Sequence, residues 1–393
     1  MLIPSIMSSD MDIGHFLGID PKSKRAKMNR IGEVAMFTLE ELLQGLVERG
    51  GSDLHVTAGA APKFRIDGEL IDAGAEFLEP KETKRLIYSI LNAEQIAKFE
   101  KNHELDLSFG IASLGRFRTN VFVQRGAVAG VFRVIPYEIK GFEELGLPRE
   151  VCEKICNLPK GLVLVTGATG SGKSTTLAAM IDQINQTRRQ HIVTVEDPIE
   201  FLHQNKKCLF NQREVGTDTF SFDNALRSVL RQDPDIVLIG EMRSMETIEA
   251  ALTLAETGHL TFATLHTSDC VQTVNRIVDV FPAGQQQQIR TQLSFTLQAV
   301  FCQQLIPLAN SKGRAMASEI MLSNTAIRAL IRDNKGHQIY SQIQTGGQAG
   351  MNTMNMSMHD LYSRRLISLD EAVARSTDPE ELKRLISSPH VRV

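Results

Sequence analysis

The sequence predicts an α/β protein of two folded units, a smaller α+β domain followed by a larger one built on a parallel sheet. Three observations carry this. The 393 residues exceed the length of one typical domain. From about residue 148, short wholly apolar runs at 162–166, 192–195, 236–239 and 260–265 alternate with helical stretches, as strands buried on both faces do. Upstream, at 116–124, apolar and polar residues instead alternate with period two, the mark of a strand with one buried face.

Residues 1–35 read as an extension. The first strong helix signal is the capping box Thr38-Leu-Glu-Glu41, followed by apolar Leu39, Leu42, Leu43 and Leu46 and stopped by Gly50-Gly51. This opens an α+β domain over 36–135. Residues 54–56 and 64–71 read as short strands, with Asp67-Gly68 as the tight turn of a hairpin. In the strand at 116–124, Phe117, Thr119, Val121 and Val123 form the core face, and Arg116, Arg118, Asn120 and Gln124 the other. Residues 131–135 make a further strand carrying Arg133, and Pro136 opens a linker over 136–147. Gln285 to Gln288 fall on a surface helix. Residues 326–333 read as a helix with Ala326, Ile327, Leu330 and Ile331 on one face and Arg328 and Arg332 on another, capped by Asn324 and stopped by Gly336.

The chemistry concentrates in the second unit. The run 162–165 leads into Gly167-Ala168-Thr169-Gly170-Ser171-Gly172-Lys173-Ser174, with Thr175 next, and a helix with Leu177, Ile181 and Ile184 on one face follows. Strand, glycine-rich loop and helix in this order form a phosphate loop. Its glycines turn backbone N–H groups toward phosphates, Lys173 neutralises β and γ oxygens, and Ser174 offers a hydroxyl to Mg²⁺. ATP and Mg²⁺ are therefore the expected ligands.

Three more elements end in polar side chains. The strand in Asp233-Pro-Asp-Ile-Val-Leu-Ile-Gly-Glu241 delivers Glu241 to where a nucleotide's metal lies. The strand in Ile192-Val-Thr-Val-Glu-Asp-Pro-Ile-Glu200 delivers Glu196, Asp197 and Glu200, any one of which can polarise an attacking water; spacing does not rank them. The segment Thr257-Gly-His-Leu-Thr-Phe-Ala-Thr-Leu-His266-Thr puts His266 at a strand end, as a γ-phosphate contact or a satisfied core histidine.

Bulk properties exclude other classes. Apolar residues make up 42% and charged residues 23%, enough for a core without staples. Forty-three basic and 46 acidic side chains leave a net charge of −3, with no electrostatic footprint for nucleic acid. The five cysteines, Cys152, Cys156, Cys208, Cys270 and Cys302, are scattered without zinc-ribbon spacing and are expected as reduced thiols. No run is long enough for a membrane span or a signal peptide, so a cytoplasmic location is expected. The basic cluster Lys22, Lys24, Arg25, Lys27 and Arg30 is read as a solvated tail or a weak membrane contact.

Taken together, the phosphate loop, the acidic box at 196–200, the strand ending in Gly-Glu241 and the Gly-His to Leu-His-Thr box resemble the secretion-type ATPase superfamily. The resemblance covers about 37–375 and includes Ser52-Asp-Leu-His55. Assembly and secretion members usually carry a four-cysteine zinc insertion after the histidine box, where this chain has only Cys302. Residues 326–333, Gln344-Thr-Gly-Gly347 and Gly350-Met-Asn-Thr-Met354 are similar to the helix and tail of the type IV pilus retraction ATPases of the PilT family. Ala329 and Asp333 depart from that family's asparagine and glutamate, and Ser244 stands where aspartate is common.

The resemblance implies a RecA-like P-loop NTPase core over 148–375 with a C-terminal helical part, a tail over 376–393, and a PAS-like N-terminal domain. It implies Glu200 as the catalytic base, Glu241 as the magnesium-side acid and His266 as the γ-phosphate sensor. Arg116, Arg118, Arg133 and Arg231 become candidate charge-neutralising arginines, with Arg314 weaker. A homohexamer is implied, with ATP between small and large domains, acting on an inner-membrane pilus platform protein, touching the membrane only through that partner and binding no nucleic acid. The alternatives are an accessory PilU-like retraction ATPase, a related assembly, secretion or DNA-uptake ATPase, and a slow regulatory nucleotide switch.

Overall fold

The computed structural model describes residues 37–66, 68–74, 76–111, 114–135, 138–310 and 313–387. The expected extension at 1–35 with its basic cluster, and the residues Asp67 and Pro136, lie outside these. Two compact units result: residues up to Leu114 with Thr119–Val134, and Gly115–Arg118 with Ile135 onward.

The first unit opens with α1 (Leu39–Glu48). Its capping box is complete: Glu41 N–H donates to Thr38 Oγ1 at 3.1 Å and Thr38 N–H to Glu41 at 2.9 Å, a cap worth about 1 kcal/mol. The four leucines of its apolar stripe are buried. Strands β1 (Asp53–Val56), β2 (Lys63–Ile66) and β3 (Glu69–Asp72) follow, antiparallel in sequence order, with Phe64 opposite Ile71. β3 is exposed along its whole length, Leu70 and Ile71 included. Next come α2 (Pro80–Tyr88), α3 (Ala93–Asn102) and β4 (Glu104–Ile111), which the sequence reading did not foresee. β5 (Gly115–Gln124) and β6 (Ala127–Ile135) meet at Arg125-Gly126, both at positive φ, as a two-residue hairpin turn requires. Phe117, Thr119 and Val121 are buried as the alternation demands, whereas Val123, beside that turn, is exposed. β6 begins at Ala127, earlier than the expected 131. The sheet order is β3-β2-β1-β6-β5-β4.

The second unit holds α4 (Arg149–Cys156), β7 (Gly161–Thr166), α5 (Lys173–Thr187), β8 (His191–Glu196), β9 (Leu209–Glu214), α6 (Phe222–Val229), β10 (Ile236–Ile239), α7 (Met245–Glu256), β11 (Leu260–Leu265), α8 (Cys270–Asp279) and α9 (Ala283–Thr296). The long strands β12 (Leu297–Pro307) and β13 (Arg314–Leu322) follow, then α10 (Thr325–Arg332), α11 (Ile339–Thr345), α12 (Met354–Ser363), α13 (Leu369–Arg375) and α14 (Pro379–Ser387). The sheet order is β13-β12-β7-β11-β10-β8-β9, parallel except for the β12–β13 pair. The four strands read from sequence are its centre. Alternate residues of each feed opposite cores: Leu162, Leu164, Val237, Ile239 and Ala263 on one side, Val163, Val165, Ile236, Leu238 and Phe262 on the other. Burial on both faces is why those runs are wholly apolar.

Three expectations change here. Phe142 and Leu147, inside the expected linker, are buried in the second unit's core. Residues 376–393 are not simply a tail, because α14 buries Leu382. α10 has its Asn324 cap, accepting from Ile327 N–H at 2.8 Å, but it ends before Asp333. Asn334 takes the left-handed position, and Lys335 N–H returns to Leu330 O at 2.8 Å, so Gly336 is not the stop. Ile327 and Ile331 are buried, Leu330 is half-buried and Ala326 is exposed. Among the described residues no helix is long and apolar enough to cross a membrane. All five cysteines are free and buried.

Candidate functional site

Four neighbouring parallel strands, β7, β11, β10 and β8, end on the same edge of the sheet and continue into the phosphate loop, His266, Glu241 and the acidic box. The carboxyl edge of a parallel sheet is where such folds bind ligands, because the chain leaves each strand there. Two glycines permit the close approach. A Cβ on Gly167 would lie 2.3 Å from Gln303 O and 2.7 Å from Ser171 Oγ, and its φ is +135°. A Cβ on Gly240 would lie 3.2 Å from Glu196 Cα, so the end of β10 lies close against that of β8.

Within the loop, Ala168, Thr169 and Gly170 are exposed at the crest, and Gly172 caps α5 at positive φ. The free N–H groups of that helix's first turn, with its dipole, favour an anion. Lys173 is buried and donates from Nζ to Gly167 O at 2.9 Å and Ala168 O at 3.1 Å. Burial lowers its pKa, with Glu241 opposing the shift. Ser171 Oγ is buried without a hydrogen-bond partner, and Ser174 and Thr175 are half-buried in the first turn of α5. A loop with an orphaned hydroxyl, a cation parked on its own carbonyls and no room for a Cβ at its first glycine fits a phosphate chain.

Glu241 is the electrostatic centre. Its Oε1 accepts from Arg243 Nε at 2.7 Å and lies 3.1 Å from His266 Nε2, and its Oε2 accepts from Arg243 Nη2 at 2.8 Å. Burial pushes the carboxyl up, but Arg243 and His266 outweigh it and hold it below the usual carboxylate range. Thr264 Oγ1 donates to Gly240 O at 2.6 Å and Met242 N–H to Thr264 O at 3.0 Å, fastening this segment to β11. Arg243 is the residue that sequence reasoning passed over. Its signal was position, two residues past Glu241.

The acidic box separates by environment. Glu196 is buried, accepting from Thr194 Oγ1 at 2.7 Å, Gln212 Nε2 at 3.2 Å and Glu200 N–H at 3.4 Å, and burial raises its pKa. Asp197 and Glu200 are exposed. Glu200 lies 3.7 Å from Arg118 Nη1, both half-open to water. Arg116 donates to buried Glu214 at 3.0 Å, and Glu214 also accepts from Ile199 N–H at 3.1 Å. Arg133 pairs with buried Asp53 at 2.8 Å in the first unit. Arg231 is exposed just past α6, and Arg314 Nη1 lies 3.4 Å from Gly170 O. Lys173, Glu241 and His266 thus gather, Glu200 stands at the adjoining strand end, and each of Arg116, Arg118 and Arg133 has a carboxylate partner distant in sequence.

Comparison with known proteins gives the chain's family. Residues 31–374 match the type II/IV secretion system protein family. The type IV pilus retraction ATPase PilT of Pseudomonas aeruginosa is 50% identical over 342 residues, 87% of this chain and 99% of that one. A twitching motility protein of Neisseria gonorrhoeae is 47% identical over 325 residues, 83% and 87% of the two chains. A crystal structure of the pilus retraction motor PilT with bound ADP matches with a TM-score of 0.83 at 50% identity, covering 88% of this chain and 99% of that one. With half of its residues shared along nearly the whole of that relative, the chain belongs to the type II/IV secretion system protein family and, within it, to the ATPases of the PilT retraction type.

Proposed function

We propose that this ATPase is a cytoplasmic, homohexameric motor that drives type IV pilus retraction through an inner-membrane pilus platform protein. Lys173 binds the β and γ oxygens, and the N–H groups of the loop, residues 167 to 175, cradle the phosphates. Ser174 and Glu241 are the residues that would hold Mg²⁺, which supplies charge neutralisation on the phosphate oxygens. Glu241 leaves Arg243 to do so. Glu200 accepts the proton of the attacking water, a role its exposure suits and the buried, three-fold hydrogen-bonded Glu196 does not. His266, beside Glu241, senses the γ-phosphate. Arg116, Arg118, Arg133 and Arg231 supply the charge-neutralising arginines of the ring. The catalytic domain is centred on 148–375, with Phe142, Leu147 and Leu382 packed into its cores from either side.

The observation that carries this reading is the gathering of Lys173, Glu241 and His266 at adjacent strand ends in a chain half-identical to a retraction ATPase. Deleting the gene and counting pili and twitching tests it. Excess pili without movement, restored by the intact chain but not by Lys173→Ala, is the expected result. Pili lost rather than accumulated would turn the reading to assembly.

A further inference from the structure

Three ligand-bearing side chains from separate elements meet in the core of the second unit, against Thr166, the residue before Gly167 of the phosphate loop. Thr166, Cys302 and Glu319 lie directly opposite one another across β7, β12 and β13, so their side chains share one face of the sheet. Cys270, the first residue of α8, closes over them. All three ligand residues are buried: Cys270 and Cys302 completely, and Glu319 at 2% exposure. The two sulfurs are 4.0 Å apart, and the two Sγ atoms and a Glu319 oxygen all lie within 4.8 Å of one another. Glu319 Oε1 also accepts from Cys270 N–H at 2.8 Å, and the Thr166 hydroxyl is 2.8 Å from Cys302 Sγ.

From these positions we propose that Cys270, Cys302 and Glu319 form a binding site for one thiophilic divalent cation of the zinc class. The spacing supports it: two sulfurs each about 2.3 Å from a tetrahedral centre are about 3.8 Å apart. The donor set selects the ion, since two thiols and one carboxylate suit zinc and disfavour calcium or magnesium, which take oxygen ligands. Four-cysteine spacing is absent, so the site is not a zinc ribbon; it uses three separate elements. Binding exchanges two S–H bonds for two metal–sulfur bonds and releases both thiol protons to solvent, together with the Glu319 proton where it is held. Burial favours the protonated forms of Cys270 and Glu319 in the metal-free protein. The bound ion would tie α8 to β12 and β13 one residue before Gly167, since Cys302 holds Thr166.

The test is titration of the full-length chain, kept reduced by a phosphine, with Zn²⁺ or Cd²⁺, reading calorimetric stoichiometry, thiolate-to-cadmium ultraviolet absorption and the melting temperature. One cation per chain, a thiolate band and a raised melting temperature are expected. All three should vanish in Cys270→Ala and Cys302→Ala, whose metal-free melting checks folding, and persist in the Cys152→Ala/Cys156→Ala double variant. Glu319→Gln keeps both thiols and an acceptor for Cys270 N–H, and should weaken binding by at least about tenfold. Failure to bind a stoichiometric cation, binding untouched by Cys270→Ala or Glu319→Gln, or binding lost with Cys152 and Cys156 would each overturn the assignment.

Discussion

The two sheets solve the placing of charge in opposite ways. In the first unit the ionic groups stand on the sheet's face: Arg133 reaches across from β6 to Asp53 on β1, its direct neighbour in register. In the second unit the central strands carry almost no charge along their length, and Lys173, Glu241, His266 and Glu200 lie past their ends. The cause is burial. A strand covered on both faces has no solvated side for an ion, so polar chemistry is pushed to its carboxyl end, where several ends meet and groups remote in sequence become neighbours. A sheet with an open face disperses its charges instead, as the cross-strand pairs Arg133–Asp53 and Lys63–Asp72 do.

This contrast breaks first at the phosphate loop if it is wrong. Lys173→Ala removes the buried cation and should lower steady-state ATP turnover by more than about 10²-fold; a loss within about tenfold would refute the loop's role. Glu200→Gln should lower turnover by about 10² to 10⁴ while ATP still binds, whereas Glu196→Gln should stay close to the parent rate. The reverse pattern would show that the buried acid is the base. Arg133→Ala asks whether the first sheet's face takes part in chemistry. On the proposed ring it lowers turnover by about 10-fold or more, melting of the variant reads separately what unpairing buried Asp53 costs, and an unchanged rate would make that face scaffold only.

A smaller effect shows Glu196 in the pH dependence of stability. Burial raises the folded-state pKa of Glu196, so the folded protein holds this proton more tightly than the unfolded chain. Its contribution to stability is full below the ordinary carboxylate pKa and is lost as pH rises through the raised value. Urea unfolding of Glu196→Gln should therefore lack that loss, and the variant should gain on the parent as pH rises through this window. An unchanged difference at every pH would contradict it. Least perturbing is Arg328→Ala. Arg328 is half-buried and donates to Phe295 O at 3.4 Å and Gln298 at 3.3 Å, so its loss should cost about 1 kcal/mol and leave the ATPase rate intact. If α10 passes nucleotide state to the pilus machinery, twitching stops all the same; normal twitching would reduce α10 to scaffold.

The legible parts of the sequence were those in which local pattern and tertiary environment agree. The four central strands, α1 with its cap, and the loop from Gly167 to Ser174 announce themselves because burial on both faces, a capping box and a glycine spacing are all local signals. β9, with Leu-Phe-Asn-Gln-Arg-Glu at a sheet edge, shows neither clean alternation nor an apolar run, and β12 hides Gln298, Gln303 and Gln304 within an otherwise apolar stretch. α2 and α3 each bury three residues or fewer, too few to mark a face. Within the site, the rank order of Glu196, Asp197 and Glu200 rests on burial, which no spacing encodes. The partners of Arg116 and Arg133, Glu214 and Asp53, are 98 and 80 residues away, and no local pattern encodes a pairing across such a separation. The meeting of Cys270 with Cys302 was hidden for the same reason.

β12 carries a mechanical implication. Its Gln303 carbonyl sits where a side chain on Gly167 would have to go, so the phosphate loop rests directly on this strand. β12 in turn pairs with β13 without a break from Ala299–Leu322 to Pro307–Arg314, a run about 30 Å long at about 3.4 Å per residue. At the far end of β13 the chain enters α10 through Ser323 and Asn324. A ladder of that length resists bending in its own plane, because every rung must stretch at once. The rung under Gly167 joins Gln303 to Ser318, four residues before β13 ends at Leu322, so a displacement of the loop would press on this ladder close to the base of α10.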